Sequence, residues 1–322
     1  MLQLPDHWIW DFWFADTGTE YHVFFLRASR ALIDPERRHK RAGIGHAVST
    51  DLRTWTLVAD ALAPSDEPAF DDNATWTGSI VRDETGVWRM FYTGISRHES
   101  GRIQRIGMAT STDLLVWEKD PGPICVSDPR WYEADPTGSG EVAWRDPWVF
   151  ADPTGAGWHM LITAKSVTGE PGDRGVVGHA TSTDLHSWQV GPPLSSPGSG
   201  FVHCEVFQVE QIDGRPVLIF SCPRTELTPR MRHTWGQGGI WAVPADNVIG
   251  PFDLDRATLL LGQTHYVGRL IRDRTGQWVM LAFFYEDTDG RFIGGLCDPT
   301  PVGWRDNKFV LLDGPDHLVG SG

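Results

Sequence analysis

The chain of 322 residues carries a formal net charge of −14. That balance excludes a groove tracking nucleic-acid phosphates, which needs Lys and Arg in excess, and disfavours an acidic membrane surface. Its 35 Gly, 22 Pro and 16 Trp, without a long apolar stretch of 3.6-residue period, favour many short strands and tight turns over helices.

The opening MLQLPDHWIW has neither a basic n-region nor a continuous apolar h-region, and no apolar run approaches the ~20 residues of a membrane span. Cys125, Cys204, Cys222 and Cys297 are far apart, without a Cys-x-x-Cys pair. They read as reduced thiols of a cytoplasmic protein, and their spacing offers no zinc site.

The first segment along the chain is WIWDFWF (8–14), followed by the turn DTGTE and YHVFF (21–25). An Arg-rich stretch, ASRALIDPERRHKRA (28–42), then leads into IGHAVSTDLRTW (44–55). The same order returns as TWTGSIV (75–81), WRMFYTG (88–94) and IGMATSTDLLVW (106–117), and again as WRDPWVF (144–150), WHMLITA (158–164) and VGHATSTDLHSW (177–188). In all three copies a Gly-x-Ala strand runs into Ser-Thr-Asp-Leu, and a Trp follows the Asp: Asp51/Trp55, Asp113/Trp117 and Asp184/Trp188. Weaker copies are CEVFQVE (204–210), PVLIFSC (216–222) and GGIWAVPAD (238–246), then THYVGRL (264–270), WVMLAFF (278–284) and GGLCDPTPVGW (294–304).

Such self-similarity marks one supersecondary unit used repeatedly. Five frames of about four strands predict an all-β, five-bladed β-propeller over residues 1–322, with the first strand of each blade lining the central channel. Those first strands carry Asp11, Asp146 and Glu205 in blades one, three and four, near Trp10, Trp76, Thr77, Ser79, Arg145 and His265. A carboxylate on an otherwise apolar strand is costly to bury unless paired or hydrogen-bonded. Three of them aimed at one axis suit acid and nucleophile work on a sugar; carboxylates paired structurally with Arg are the other reading. A propeller alone implies no activity, so a non-catalytic sugar-binding platform stays open.

The stretch 44–66, WTGS (76–79), FYTG (91–94), QRIGMATSTDLLVWEKD (104–120) and WRDP (144–147) resemble glycoside hydrolase family 32, the β-fructofuranosidases and invertases. Trp-Asp-Phe-Trp (10–13) is closer to the Trp-Asp-x-Trp segment of family 68, the levansucrases. The resemblance implies a retaining hydrolase of β-fructofuranosyl linkages, working on sucrose or fructo-oligosaccharides through a covalent fructosyl-enzyme. Carried across, Asp11 is the nucleophile, Asp146 the transition-state stabiliser and Glu205 the general acid/base, with Glu210 and Glu133 next in line for the last role. Trp10, Trp76, Thr77 and Arg145 match pocket positions. Ser79 is grouped with them, as are Arg38 and His39 of the 28–42 loop, which lie closest to the strand. The expected partner is a small carbohydrate, with no metal, cofactor, nucleic acid or membrane.

The departures are local. Asn-Asp-Pro-Asn is absent, Leu26 and Ile44 replace the family's pocket Gln and Trp, and Glu205-Val206-Phe207 stands for Glu-Cys-Pro, with Cys204 leaving a one-residue slip open. Blade five is expected to end near 312 with no β-sandwich after it. An inverting arabinan-type furanosidase is the rival enzyme, and a phosphorylase would need a phosphate pocket for which the 28–42 loop is the one candidate. His265 and Tyr266 read as channel packing.

Overall fold

The computed structural model describes residues 1–312, whose strands form five antiparallel four-stranded sheets, each ordered from the channel outward as in sequence. Blade one is β1 (His7–Asp16), β2 (Tyr21–Ser29), β3 (Gly43–Ser49) and β4 (Thr56–Leu57). Blade two is β5 (Ala74–Arg82), β6 (Trp88–Ile95), β7 (Gln104–Ser111) and β8 (Glu118–Lys119). Blade three is β9 (Trp144–Ala151), β10 (Trp158–Lys165), β11 (Gly175–Ser182) and β12 (Gln189–Gly191). Blade four is β13 (Glu205–Ile212), β14 (Arg215–Cys222), β15 (Gly239–Pro244) and β16 (Thr258–Gly262). Blade five is β17 (His265–Arg272), β18 (Trp278–Phe284), β19 (Thr300–Arg305) and β20 (Lys308–Leu311). The first strands touch in a closed ring, β1 to β5, β9, β13, β17 and back to β1. The chain is thus a five-bladed β-propeller, as its repeats predict; residues 313–322 lie outside the described residues.

The repeated Ser-Thr-Asp-Leu has a local cause. In blade three, Ser182 Oγ accepts from the amides of Asp184 (3.1 Å) and Leu185 (2.8 Å), while Asp184 Oδ1 accepts from those of His186 (2.8 Å) and Ser187 (2.7 Å). These bonds hold Leu185 at φ 66°, a left-handed conformation that a non-Gly residue adopts only when its surroundings enforce it. Leu52 and Leu114 take the same turn at φ 61° and 66°, and all three leucines are buried. The Trp closes the motif over the turn: Trp117 and Trp188 donate from Nε1 to the carbonyls of Leu114 (3.0 Å) and Leu185 (3.2 Å).

The fifth frame differs from its sequence pattern. GGLC makes only isolated bridges, Leu296 to Phe283 and to Leu2, and the third strand begins at Thr300. Pro299, which has no N–H for a ladder, separates the two. Blades one and five are joined by main-chain bonds: Gly295 N donates to Ile9 O (2.8 Å), and Leu2 exchanges two bonds with Leu296 (3.1 and 2.8 Å).

Candidate active site

Each inner strand carries one extra residue at the same height. In β1, Trp10 pairs with Leu26 and Phe12 with Phe25, leaving Asp11 between them; in β5, Thr77 is left between Trp76 and Gly78. The register slips likewise between Arg145 and Trp148, Glu205 and Gln208, and Tyr266 and Arg269. Such bulges re-aim side chains. The residue before the bulge is Trp10, Trp76, Arg145, Glu205 or Tyr266, and all five line one axial cavity of about 380 Å³. The next residue is Asp11, Thr77 or Asp146 in blades one to three, and these line it too. Asp11 and Asp146 therefore occupy equivalent positions, whereas Glu205 sits one residue earlier, level with Arg145.

The bulges are braced from the neighbouring blade. The amides of Asp146 and Val206, at φ 58° and 57°, donate to Thr93 Oγ1 (2.9 Å) and Thr163 Oγ1 (3.3 Å), and that of Val267, at φ 50°, donates to Ser221 Oγ (3.0 Å). The equivalent second-strand positions in blades one and five are Leu26 and Phe283, which present apolar faces to the cavity instead.

The three carboxyls have different partners. Asp11 accepts a short hydrogen bond from Thr77 Oγ1. Asp146 Oδ2 accepts from Thr163 Oγ1 (2.9 Å) and lies 3.5 Å from Arg145 Nε. Glu205 accepts from Arg145 Nη2 (2.6 Å) on one oxygen and from the Tyr266 hydroxyl (2.5 Å) on the other. Burial pushes the Asp11 carboxyl up to about 6; the Glu205 charge adds to the rise, while Thr77, Arg269 and Arg38 oppose it. Asp146 is raised as well, by burial first and then by Glu205 and Asp11, against the pull of Arg145 and Thr163. Burial works against the Arg145 charge, yet Glu205, Glu141 and Asp146 hold it above the usual guanidinium range.

Below the carboxyls lies Arg269, only 1% exposed. It donates to the carbonyls of Phe12 (3.0 Å), Phe207 (2.7 Å) and Gly78 (3.5 Å), and its guanidinium sits 5.0 Å from the Trp148 ring centroid. At the mouth, Arg38 is buried between Trp10 (5.6 Å) and Phe292 (3.8 Å) and donates to Glu36 Oε1 (3.0 Å). The carbonyl of His39 accepts from Trp76 Nε1 (2.6 Å), and its ring meets Trp10 edge-on. Burial, with Arg38 and Arg145 nearby, lowers the His39 imidazole to about 3, so it is neutral at neutral pH.

Of the residues singled out from sequence, Asp11, Asp146, Glu205, Trp10, Trp76, Thr77, Arg145, Arg38 and His39 all reach this cavity. Ser79 does not. It stands below the bulge, level with Trp148, Gln208 and Arg269, fully buried, with its Oγ accepting from Val149 N (3.0 Å) as an inter-blade tie. Leu26 lines the cavity, and Ile44 is buried in the core. Cys204 is likewise buried in an apolar cluster, away from the cavity that Glu205 lines. Glu210 faces Gln208 (3.0 Å) and Glu133 pairs with Arg174 (3.1 Å), both away from the cavity. Arg37, Lys40 and Arg41 of the basic loop do not line it either. Sequence reasoning missed Gln104, Glu141 and Glu226 on the cavity wall, Arg269 beneath it, and the bond from Tyr266 to Glu205. Tyr266 was within reach: it shares its place in the frame with Arg145 and Glu205.

Fold and site together define a five-bladed propeller whose axial cavity is walled by carboxylates, arginine and tryptophan. The chain belongs to glycoside hydrolase family 32, matching "Glycosyl hydrolases family 32 N-terminal domain" over residues 8–253. It is 27% identical over 229 residues to an insoluble-isoenzyme β-fructofuranosidase of Arabidopsis thaliana, covering 69% of this chain and 39% of that protein. It is 30% identical over 193 residues to a fructan 6-exohydrolase of Beta vulgaris, covering 58% and 29%. The match thus spans about two fifths or less of these relatives. Among solved structures, the inulosucrase from Halalkalicoccus jeotgali bound to kestose superposes with a TM-score of 0.79 at 20% identity, over 99% of this chain and 92% of that one. The family 32 β-fructofuranosidase of Bombyx mori superposes with 0.74 at 18% identity, over 98% and 64%. At such identities these likenesses concern the fold.

Proposed function

We propose that the protein is a retaining glycoside hydrolase that cleaves β-fructofuranosyl linkages through a covalent fructosyl-enzyme. The observation carrying this reading is the convergence of Asp11, Asp146 and Glu205 from three blades on one cavity, each with its own hydroxyl donor. Asp11, whose one hydrogen-bond donor is a neutral hydroxyl, attacks the anomeric carbon as its bond to the leaving oxygen breaks. Glu205 gives its proton to that oxygen, then takes one from the water that releases the sugar. The Tyr266 hydroxyl can donate to the Glu205 carboxylate and accept from its acid form, so it orients the group in both halves of the cycle. Asp146, held by Thr163 and Arg145, accepts from the ring hydroxyls and balances the positive charge that develops in the transition state. Trp10 and Trp76 supply the apolar wall against the sugar ring.

Sucrose and fructo-oligosaccharides are the proposed substrates, in keeping with the fructosidase relatives. Four free cysteines, three of them buried, support a reducing compartment such as the cytoplasm. The test is turnover of sucrose, inulin and levan oligosaccharides, difructose anhydrides and aryl arabinofuranosides, with product anomers read by NMR. Initial release of β-fructofuranose is expected. Inversion, or turnover confined to arabinofuranosides, overturns the proposal.

A further inference from the structure

Among the described residues, six carboxylates line the cavity: Asp11, Glu36, Glu141, Asp146, Glu205 and Glu226. Two guanidiniums share it, and both are already engaged. Arg145 faces Glu205 (2.6 Å), Asp146 (3.5 Å) and Glu141 (3.7 Å), and Arg38 faces Glu36 (3.0 Å). Behind the wall, buried His203 lies between Glu226 (2.6 Å) and Glu141 (3.3 Å), and Lys165 stands 4.0 Å from Glu141. With Arg269 beneath Asp11 and Asp146, five cations thus answer six carboxylates, and each of the five is already engaged. The remaining Arg and Lys residues of the mouth loop, Arg30, Arg37, Lys40 and Arg41, lie outside the cavity wall.

We infer that this cavity selects uncharged furanosides and rejects phosphorylated ones, with Glu36, Glu141 and Glu226 enforcing the choice electrostatically. The inference rests on reading the cavity as a fructoside site. Carboxylate oxygens are acceptors that suit the hydroxyls of a neutral sugar. A phosphate ester brings up to two negative charges into the same volume, where repulsion is far stronger than in bulk water and the two guanidiniums of the wall are already paired. Selectivity of this kind is a difference of affinities created by a repulsive element. The upward shifts of Asp11 and Asp146 come from burial first, with neighbouring carboxylates adding to both.

The test uses the Asp11→Asn protein, which removes the proposed nucleophile, and measures Kd for sucrose and for sucrose 6-phosphate by calorimetry at low salt. Sucrose is expected to bind at least ~100-fold more tightly, a ratio in line with the cost of one unrelieved like-charge contact. That ratio should shrink at least tenfold in a Glu36→Gln/Glu141→Gln/Glu226→Gln background. It should also narrow with added NaCl, which screens charge but leaves shape unaltered, so the result does not depend on the triple variant folding. Equal affinities, preference for the phosphate ester, a ratio insensitive to salt, or binding of neither sugar each overturn the inference. Preferential sucrose binding by Asp11→Asn alongside a wild-type protein that hydrolyses no fructoside leaves the inference standing and removes the proposed function.

Discussion

Asp11 ties chemistry to stability in opposite directions. As a nucleophile it works only ionised, and burial has moved its titration up to about 6. The acidic limb of kcat/KM is therefore expected near pH 6, with activity falling as pH drops through it. An aspartate raised in the folded state above its ordinary value of 3.8 opposes folding once ionised, so its contribution is lost as pH rises from about 4 through 6. Asp11→Asn is expected to lose several orders of magnitude in kcat yet to melt at or above the wild-type temperature at pH 8. A folded variant keeping more than about a tenth of wild-type turnover would falsify the assignment. Tyr266 makes a second expectation at this scale. Its hydroxyl is one of two donors to Glu205, and a hydrogen bond to a charged group contributes about 1.5–3 kcal/mol. Tyr266→Phe is expected to lower kcat/KM on sucrose by about 10- to 100-fold, with a smaller loss on aryl fructosides, whose leaving groups need less protonation. Equal losses on both would reduce Tyr266 to packing.

The elements differ in how openly the sequence announces them. The Ser-Thr-Asp-Leu turn is closed by bonds within a few residues, so its text repeats wherever the turn repeats, and it marks the blades directly. The inner-strand bulges are another matter. One extra residue decides whether a side chain faces the cavity, and that depends on register with the second strand, set across the blade. This is why WTGS yields two cavity residues, Trp76 and Thr77, and one structural tie, Ser79, although all three read alike in sequence. Gln104, Glu141 and Glu226 arrive from loops and strand ends of blades two to four, where no local pattern foretells a shared cavity. The turn itself yields a clean test. Ser182 lies at the far end of β11 from the cavity, and Ser182→Ala leaves the buried Leu185 amide without its acceptor. A stability loss of about 1–3 kcal/mol is expected in urea unfolding, with kcat and KM unchanged. A change in KM would mean that the turn communicates with the site.

Across the whole molecule, one side chain at the centre of the ring reaches all five blades. Arg269 belongs to blade five, bonds to main-chain carbonyls of blades one, two and four, and lies over Trp148 of blade three, so a single guanidinium touches every blade. Burial lowers its own titration to about 10, with Asp11 and Asp146 pulling the other way, so it stays charged at neutral pH and serves as counter-charge beneath the two acids. It is therefore both a fastener and part of the electrostatics of the site. Removing one partner from a buried charge network typically costs about 3–5 kcal/mol. Arg269→Met is expected to lose stability on that scale, because it keeps much of the volume but deprives three carbonyls of their donor. It should also move the acidic limb of kcat/KM above pH 6, because Asp11 then ionises with less positive charge nearby. Arg269→Lys separates the two roles: an ammonium preserves the charge but lacks the planar fork that reaches several carbonyls at once. It should restore the position of the limb while recovering only part of the stability. If Arg269→Met unfolds at the wild-type urea midpoint and leaves the limb near pH 6, the residue fills the channel without fastening it.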